Sequence, residues 1–146
     1  MLFRSTLYET YEPVCMKQNL ELKLHLSEES YPAMLTDKDR LFQILCAFMD
    51  NAIQHSKNNS LIEIEVIATE KNIAFSVADH GQGISDEDKQ YIFDRFYSGD
   101  KSHMNKSNFG LGLSIAKELT QMLNGIITIN DTAGGGATFT VKFPLK

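Results

Sequence analysis

Several things are scarce in this chain, and each scarcity excludes something. There are two cysteines in 146 residues, Cys15 and Cys46, with no paired Cys or His at metal-ligand spacing beside them. A disulfide scaffold or a zinc module is therefore not indicated, and a reducing, cytoplasmic setting is the expectation. No apolar run nears the ~18 residues of a membrane helix, and the N-terminus lacks the basic and apolar regions of a secretory signal. The expectation is a soluble domain that makes no membrane contact. Positive charge is also short, 14 Lys and Arg against 19 Asp and Glu for a net charge of −5. A nucleic-acid binder would need a clustered basic face, which is missing. No Pro/Gly-rich linker, repeat or low-complexity tract divides the chain, whose length suits one domain with its own core.

What is present centres on two glycine-bearing stretches, Asp79-His80-Gly81-Gln82-Gly83-Ile84 and Gly110-Leu111-Gly112-Leu113-Ser114-Ile115. The first follows the apolar run 73–78, whose alternation suits a strand, so Asp79 falls at a strand end with its carboxylate facing a cleft. Gly81 and Gly83 would let backbone approach a ligand closely. The second opens a segment with apolar residues at 111, 115, 119 and 122, a helical spacing that puts Gly110 and Gly112 at a helix N-terminus. Free amides there attract phosphate. Taken singly, an ordinary turn and an ordinary cap explain each stretch equally well. Neither is a P-loop, since no Gly-Lys-Ser/Thr follows, and neither is a dinucleotide fingerprint, since the third glycine is missing.

Residues 2–18 carry apolar side chains at helical intervals, with Pro13 set against one continuous helix. Residues 20–26 alternate strictly and read as a strand, leaving His25 on the polar face. A helix over 38–56, capped by Thr36 or Asp37, buries Leu41, Ile44, Leu45, Phe48 and Ala52, while Ala47, Asn51 and Gln54 share a flank that can line a cleft. Asp50 points to solvent on the far side. Strands at 61–68 and 73–78 pair antiparallel, a helix runs from Asp86 to Tyr97, and residues 98–109 form a polar lid. A helix over 111–124 ends at Asn124-Gly125, and strands at 126–130 and 137–143 join through Gly134-Gly135-Gly136, which could approach a ligand but which hairpin geometry explains adequately. The expected fold is an α+β two-layer sandwich, a mixed, mostly antiparallel sheet of about five strands covered on one face by about three helices.

In series, Asn51-Ala52-Ile53-Gln54-His55-Ser56, the Asp79 stretch, Ile92-Phe93-Asp94-Arg95-Phe96-Tyr97, the Gly110 stretch and Gly134-Gly135-Gly136-Ala137-Thr138-Phe139 resemble the N box, glycine boxes and F box of the ATP-binding catalytic domain of sensor histidine kinases, a Bergerat-type fold. The resemblance covers the chain from about residue 20, with residues 1–19 as the remnant of a linker from dimerisation helices. It implies ATP and Mg²⁺ as cofactors. Asn51 would ligate Mg²⁺, and Asp79 would accept from the adenine amino group. Gly81, Gly83 and Ile84 would line the base, while Gly110, Leu111 and Gly112 would offer amides to the phosphates. Phe93 and Phe96 would anchor the lid. Gln54, His55, Tyr97, Lys101, Phe109, Leu113 and Thr138 complete the candidate nucleotide contacts, and Asn51 and Arg95 are the catalytic candidates. The partners implied are a dimerisation domain bearing the acceptor histidine and a downstream response regulator, in the cytoplasmic portion of a membrane-bound kinase.

Departures from the family pattern accompany these matches. A second Asn is replaced by Ala47, a Lys or Arg by Gln54, an Arg by Ser98, a glycine by Asn108, and a hydroxyl residue by Ala137. They imply slower transfer or weaker ATP binding unless Arg95, Lys101 or Lys106 substitutes. None of His25, His55, His80 or His103 stands in an acceptor-histidine context. Gyrase, mismatch-repair and chaperone ATPases of the same fold place a Glu where this chain has Ala47. A serine-phosphorylating anti-sigma factor and a nucleotide-free docking module also stay open at this point.

Overall fold

The structure, a computed structural model, describes residues 2–26, 37–94 and 112–144. Helix α1 spans Leu2–Lys17, strand β1 Glu21–Leu26, helix α2 Lys38–His55, strands β2 and β3 Leu61–Ala68 and Asn72–Asp79, helix α3 Asp86–Lys89, helix α4 Gly112–Met122, and strands β4 and β5 Ile126–Asp131 and Ala137–Pro144. The strands form one sheet in the order β1-β2-β3-β5-β4, parallel between β1 and β2 and antiparallel elsewhere. The mixed, mostly antiparallel five-stranded sheet expected from the sequence is the one observed.

Alternation decides which face is covered. Ile62, Ile64 and Val66 of β2, Ile73, Phe75 and Val77 of β3, and Ala137, Phe139, Val141 and Phe143 of β5 are buried, while the residues between them are more open. Against this face lies the apolar stripe of α2, with Phe48 packed on Phe139 at 5.4 Å between ring centroids. Asp37 caps α2 by accepting the amides of Asp39 and Arg40, satisfying donors the first turn leaves open. Helix α4 packs on α2, and α1 on α2 and β1.

Three expectations from the sequence change. Helix α1 runs unbroken through Pro13. The ring removes only the donor to one carbonyl of the preceding turn, on an exposed side, while Leu7, Tyr11 and Cys15 anchor the helix in the core. The helix expected from Asp86 to Tyr97 is cut to Asp86–Lys89 among the described residues, because Gln90, Tyr91 and Asp94 donate three residues back rather than four and the chain continues as tight turns. Asp50 is not merely solvated: it accepts the Tyr11 hydroxyl at 2.9 Å, pinning α1 to α2.

Helices α1 and α4 end alike. Asn19 and Asn124 take left-handed backbone with φ of 59° and 65°, and the next amide returns to Cys15 and Thr120 respectively. These are Schellman ends with Asn, rather than Gly, in the left-handed position. Gly125 is needed for a different reason, since a Cβ there would lie 2.6 Å from the Phe143 ring.

Candidate functional site

Asp79 ends β3 on the covered face, opposite Ile62, and is 2% exposed. Burial of a carboxylate demands hydrogen-bond partners, and two backbone amides supply them to one oxygen. Oδ1 accepts from Gly81 at 3.0 Å and from Ala137 at 3.2 Å. No hydrogen bond to Oδ2 is made among the described residues, so this acceptor is fixed in direction and unclaimed.

The loop after Asp79 is held by absent side chains. A Cβ on Gly81 would overlap the His55 carbonyl oxygen at the end of α2, and one on Gly136 would overlap the Asp79 carbonyl oxygen. Gly136 also holds φ at +113°, and Gly83 at +81°, conformations that L side chains rarely adopt. From the sequence Gly136 reads as a hairpin residue and as part of a glycine box of the resemblance, and neither reading gives its contact with Asp79. Its structural task is to bring the β4–β5 turn against the Asp79 strand end, from which the Ala137 amide reaches the carboxylate.

Ala47, Asn51 and His55 recur every four residues along α2 and therefore stack in one row, about 12 Å from first to last. Gly112, the first residue of α4, stands at 4.0 Å from the Ala47 Cβ when its own Cβ is built, and Gly81 abuts His55. Asn51 thus lies between the contact that brings in α4 and the contact that brings in the Asp79 loop. It is 7% exposed, and its side-chain amide has no hydrogen-bond partner among the described residues. A buried amide without a partner among the described residues is, at such a place, an acceptor and donor set that suits a ligand.

The remaining candidates divide. Ile84, Phe93 and Leu113 pack partly buried against the core. Phe93 meets Phe139 edge-on at 6.2 Å and carries the Lys117 ammonium 5.9 Å above its ring, so it ties the α3 segment to α4. Gln54 is exposed on the flank of α2. Thr138 does not join Asp79: strand alternation turns it to the opposite, uncovered face, where its hydroxyl meets that of Thr132 at 2.8 Å. Arg95, Phe96, Tyr97, Lys101, Lys106, Phe109, Gly110 and Leu111, together with the expected lid, lie outside the described residues.

The donor set can be tested against Mg²⁺. Among the described residues no group of three or more His, Cys, Asp or Glu could hold a metal ion, so no protein cage exists there. One hard amide oxygen, from Asn51, with no second ligand at Ala47, fits an ion that is brought in on a phosphate chain and keeps several waters.

Known proteins resemble this chain along most of its length. Residues 36–146 match the model of the family described as histidine kinase-, DNA gyrase B- and HSP90-like ATPase. The chain belongs to that family. Within it, the chain is 34% identical over 145 residues to the sensor protein CiaH of Streptococcus pneumoniae, covering 99% of this chain and 32% of that protein. The chain thus spans about a third of the length of this curated relative. Among solved structures, the nucleotide-free catalytic domain of histidine kinase ThkA superposes with a TM-score of 0.84 at 25% identity, covering 98% of this chain and 91% of that one. Full-length ShkA in complex with AMPPNP gives 0.84 at 26% identity, covering 98% of this chain and 29% of that one. This member of the ATPase family carries the catalytic domain of the sensor histidine kinase type.

Proposed function

We propose that the chain binds Mg²⁺-ATP between α2, the Asp79 loop and the start of α4, and delivers the γ-phosphoryl group to a histidine on a separate dimerisation domain of the same kinase. A response regulator then receives the group. Residues 1–19 lead out of the dimerisation helices and residues 20–146 form the catalytic domain, in the cytoplasmic portion of a membrane-bound kinase. The observation that carries this reading is the Asp79 carboxylate, with Oδ1 fixed by two amides and Oδ2 unclaimed among the described residues. A fixed carboxylate acceptor selects the exocyclic amino donor of adenine and repels the carbonyl that guanine places there. The complex of ShkA with AMPPNP supports a nucleotide at this fold.

Asn51 would hold Mg²⁺, which when bound neutralises phosphate charge and orients the transferring group. The chain's own contribution is positioning. Asp79 reads the base, Gly81 and Gly83 shape the loop beside it, and Gly112 opens α4 toward the phosphates. Ala47 offers no carboxylate to activate water, which favours transfer to a side chain over hydrolysis. The test is incubation of the chain with γ-labelled ATP and a separately prepared dimerisation domain. Label on the domain's histidine supports the reading, whereas rapid phosphate release without protein labelling supports a hydrolase.

A further inference from the structure

The face of the sheet away from the helices carries an arrangement that the nucleotide site does not account for. Because side chains alternate along a strand, the residue after Asp79 turns to this open face. There the His80 Nε2 meets Glu63 Oε1 at 3.1 Å, and the other oxygen, Oε2, meets the His25 Nε2 at 3.0 Å. One carboxylate on β2 therefore joins the edge strand β1 to the residue between Asp79 and Gly81. All three side chains are part-exposed, at 48% for His25, 30% for Glu63 and 31% for His80.

The backbone at His80 has little freedom on its other sides. A Cβ on Gly136 would come within 2.8 Å of the His80 Cα, and Gly81 abuts the His55 carbonyl. The segment is thus walled by backbone from the end of α2 and from the β4–β5 turn, and from the open side it is tethered by Glu63 through the His80 ring. Movement of that ring is movement of the peptide that carries Asp79.

We infer that Glu63 is a positioning residue for the purine base: it acts through His80 on the Asp79–Gly81 segment, and His25 holds its carboxylate in place. This rests on the proposed reading of Asp79 as the adenine acceptor. Glu63 lies on the face of the sheet opposite Asp79, and its effect is on the direction in which Asp79 presents Oδ2. Both histidines hydrogen-bond a carboxylate whose pKa they hold below the ordinary value, so the pair of contacts is charge-assisted.

The experiment is a displacement titration of a fluorescent ATP analogue by ATP and by GTP, with Mg²⁺, on the native chain and on Glu63→Ala, His80→Ala, Glu63→Gln and Asp79→Asn. The two alanine variants should bind ATP about three- to tenfold more weakly and GTP unchanged, so that the ATP preference falls. Glu63→Gln, whose amide oxygen accepts from one ring and whose NH2 donates to the other in its Nδ1–H tautomer, should recover most of it. A parallel fall for ATP and GTP would mean general damage and would overturn the inference, as would an ATP preference untouched by Glu63→Ala. If the native chain binds no ATP, or Asp79→Asn costs nothing, the reading of Asp79 itself fails and the role of Glu63 fails with it.

Discussion

Gly136 and Asp79, at opposite ends of a 57-residue separation in sequence, are in backbone contact so close that a single methyl group on Gly136 would overlap the Asp79 carbonyl oxygen. With φ at +113° there as well, Gly136→Ala combines a forbidden backbone conformation with a clash. Urea denaturation of this variant should show a loss of roughly 2–4 kcal/mol. Nucleotide affinity should fall too, since the Ala137 amide that holds Asp79 Oδ1 follows directly. Near-native stability would mean that the turn relaxes and that the contact is not essential.

Asn51→Ala should separate binding from folding. The side chain is buried without a partner among the described residues, so its removal should leave the melting temperature equal or slightly raised. Calorimetric titration should show Mg²⁺-dependent ATP affinity down by about tenfold or more. An unchanged response to Mg²⁺ would remove Asn51 from the metal's coordination.

Tyr11 joins α1 to α2 through its bond to Asp50, and burial pushes its phenol pKa well above the ordinary value, helped by the side chains of Cys46 and Asp50. A raised folded pKa stabilises the fold below the phenol's ordinary value of about 10, and this contribution is lost as pH rises beyond it. Tyr11→Phe should therefore cost about 1 kcal/mol at neutral pH. In strong alkali the variant and the native chain should converge in stability; a gap constant across that range would contradict the assignment.

Glu63 runs the other way. Its carboxylate pKa is lowered, first by the His80 hydrogen bond and then by His25, against an opposing effect of burial. A depressed folded value gives stability that is present above the ordinary glutamate value of about 4.3 and lost as pH falls through the folded one. The native melting temperature should therefore approach that of Glu63→Ala between neutral and acid pH. A difference that persists unchanged into acid would show that the contacts contribute no linkage.

The sequence made the sheet and α2 legible because period-two alternation at 20–26 and 61–78 and the 3.6-residue stripe over Leu41, Ile44, Leu45 and Phe48 each bury one face. Asp79 and Asn51 were legible from the order of short motifs around them. The contact of Gly136 with Asp79 was not, because a glycine at a hairpin and a glycine at a tertiary contact look alike until the turn is seen against Asp79. Thr138 was misplaced for the complementary reason: its neighbour Ala137 enters the site through a backbone amide, and alternation then sends the hydroxyl to the other face. The tie from Glu63 to His25 and His80 spans three strands, and no local pattern reveals strand order. Continuity of α1 through Pro13 likewise depended on the core beneath Leu7, Tyr11 and Cys15.

The central claim, that the free oxygen of Asp79 reads adenine, is tested most directly by measuring ATP affinity with Mg²⁺ for the native chain and Asp79→Asn, alongside their melting temperatures. Asparagine keeps an oxygen for the Gly81 and Ala137 amides and turns the other position into a donor, so folding should be nearly unchanged. The account predicts ATP binding by the native chain and a loss of about tenfold or more in the variant at nearly constant melting temperature. Equal affinity in the two chains, or no ATP binding by the native one, would contradict it.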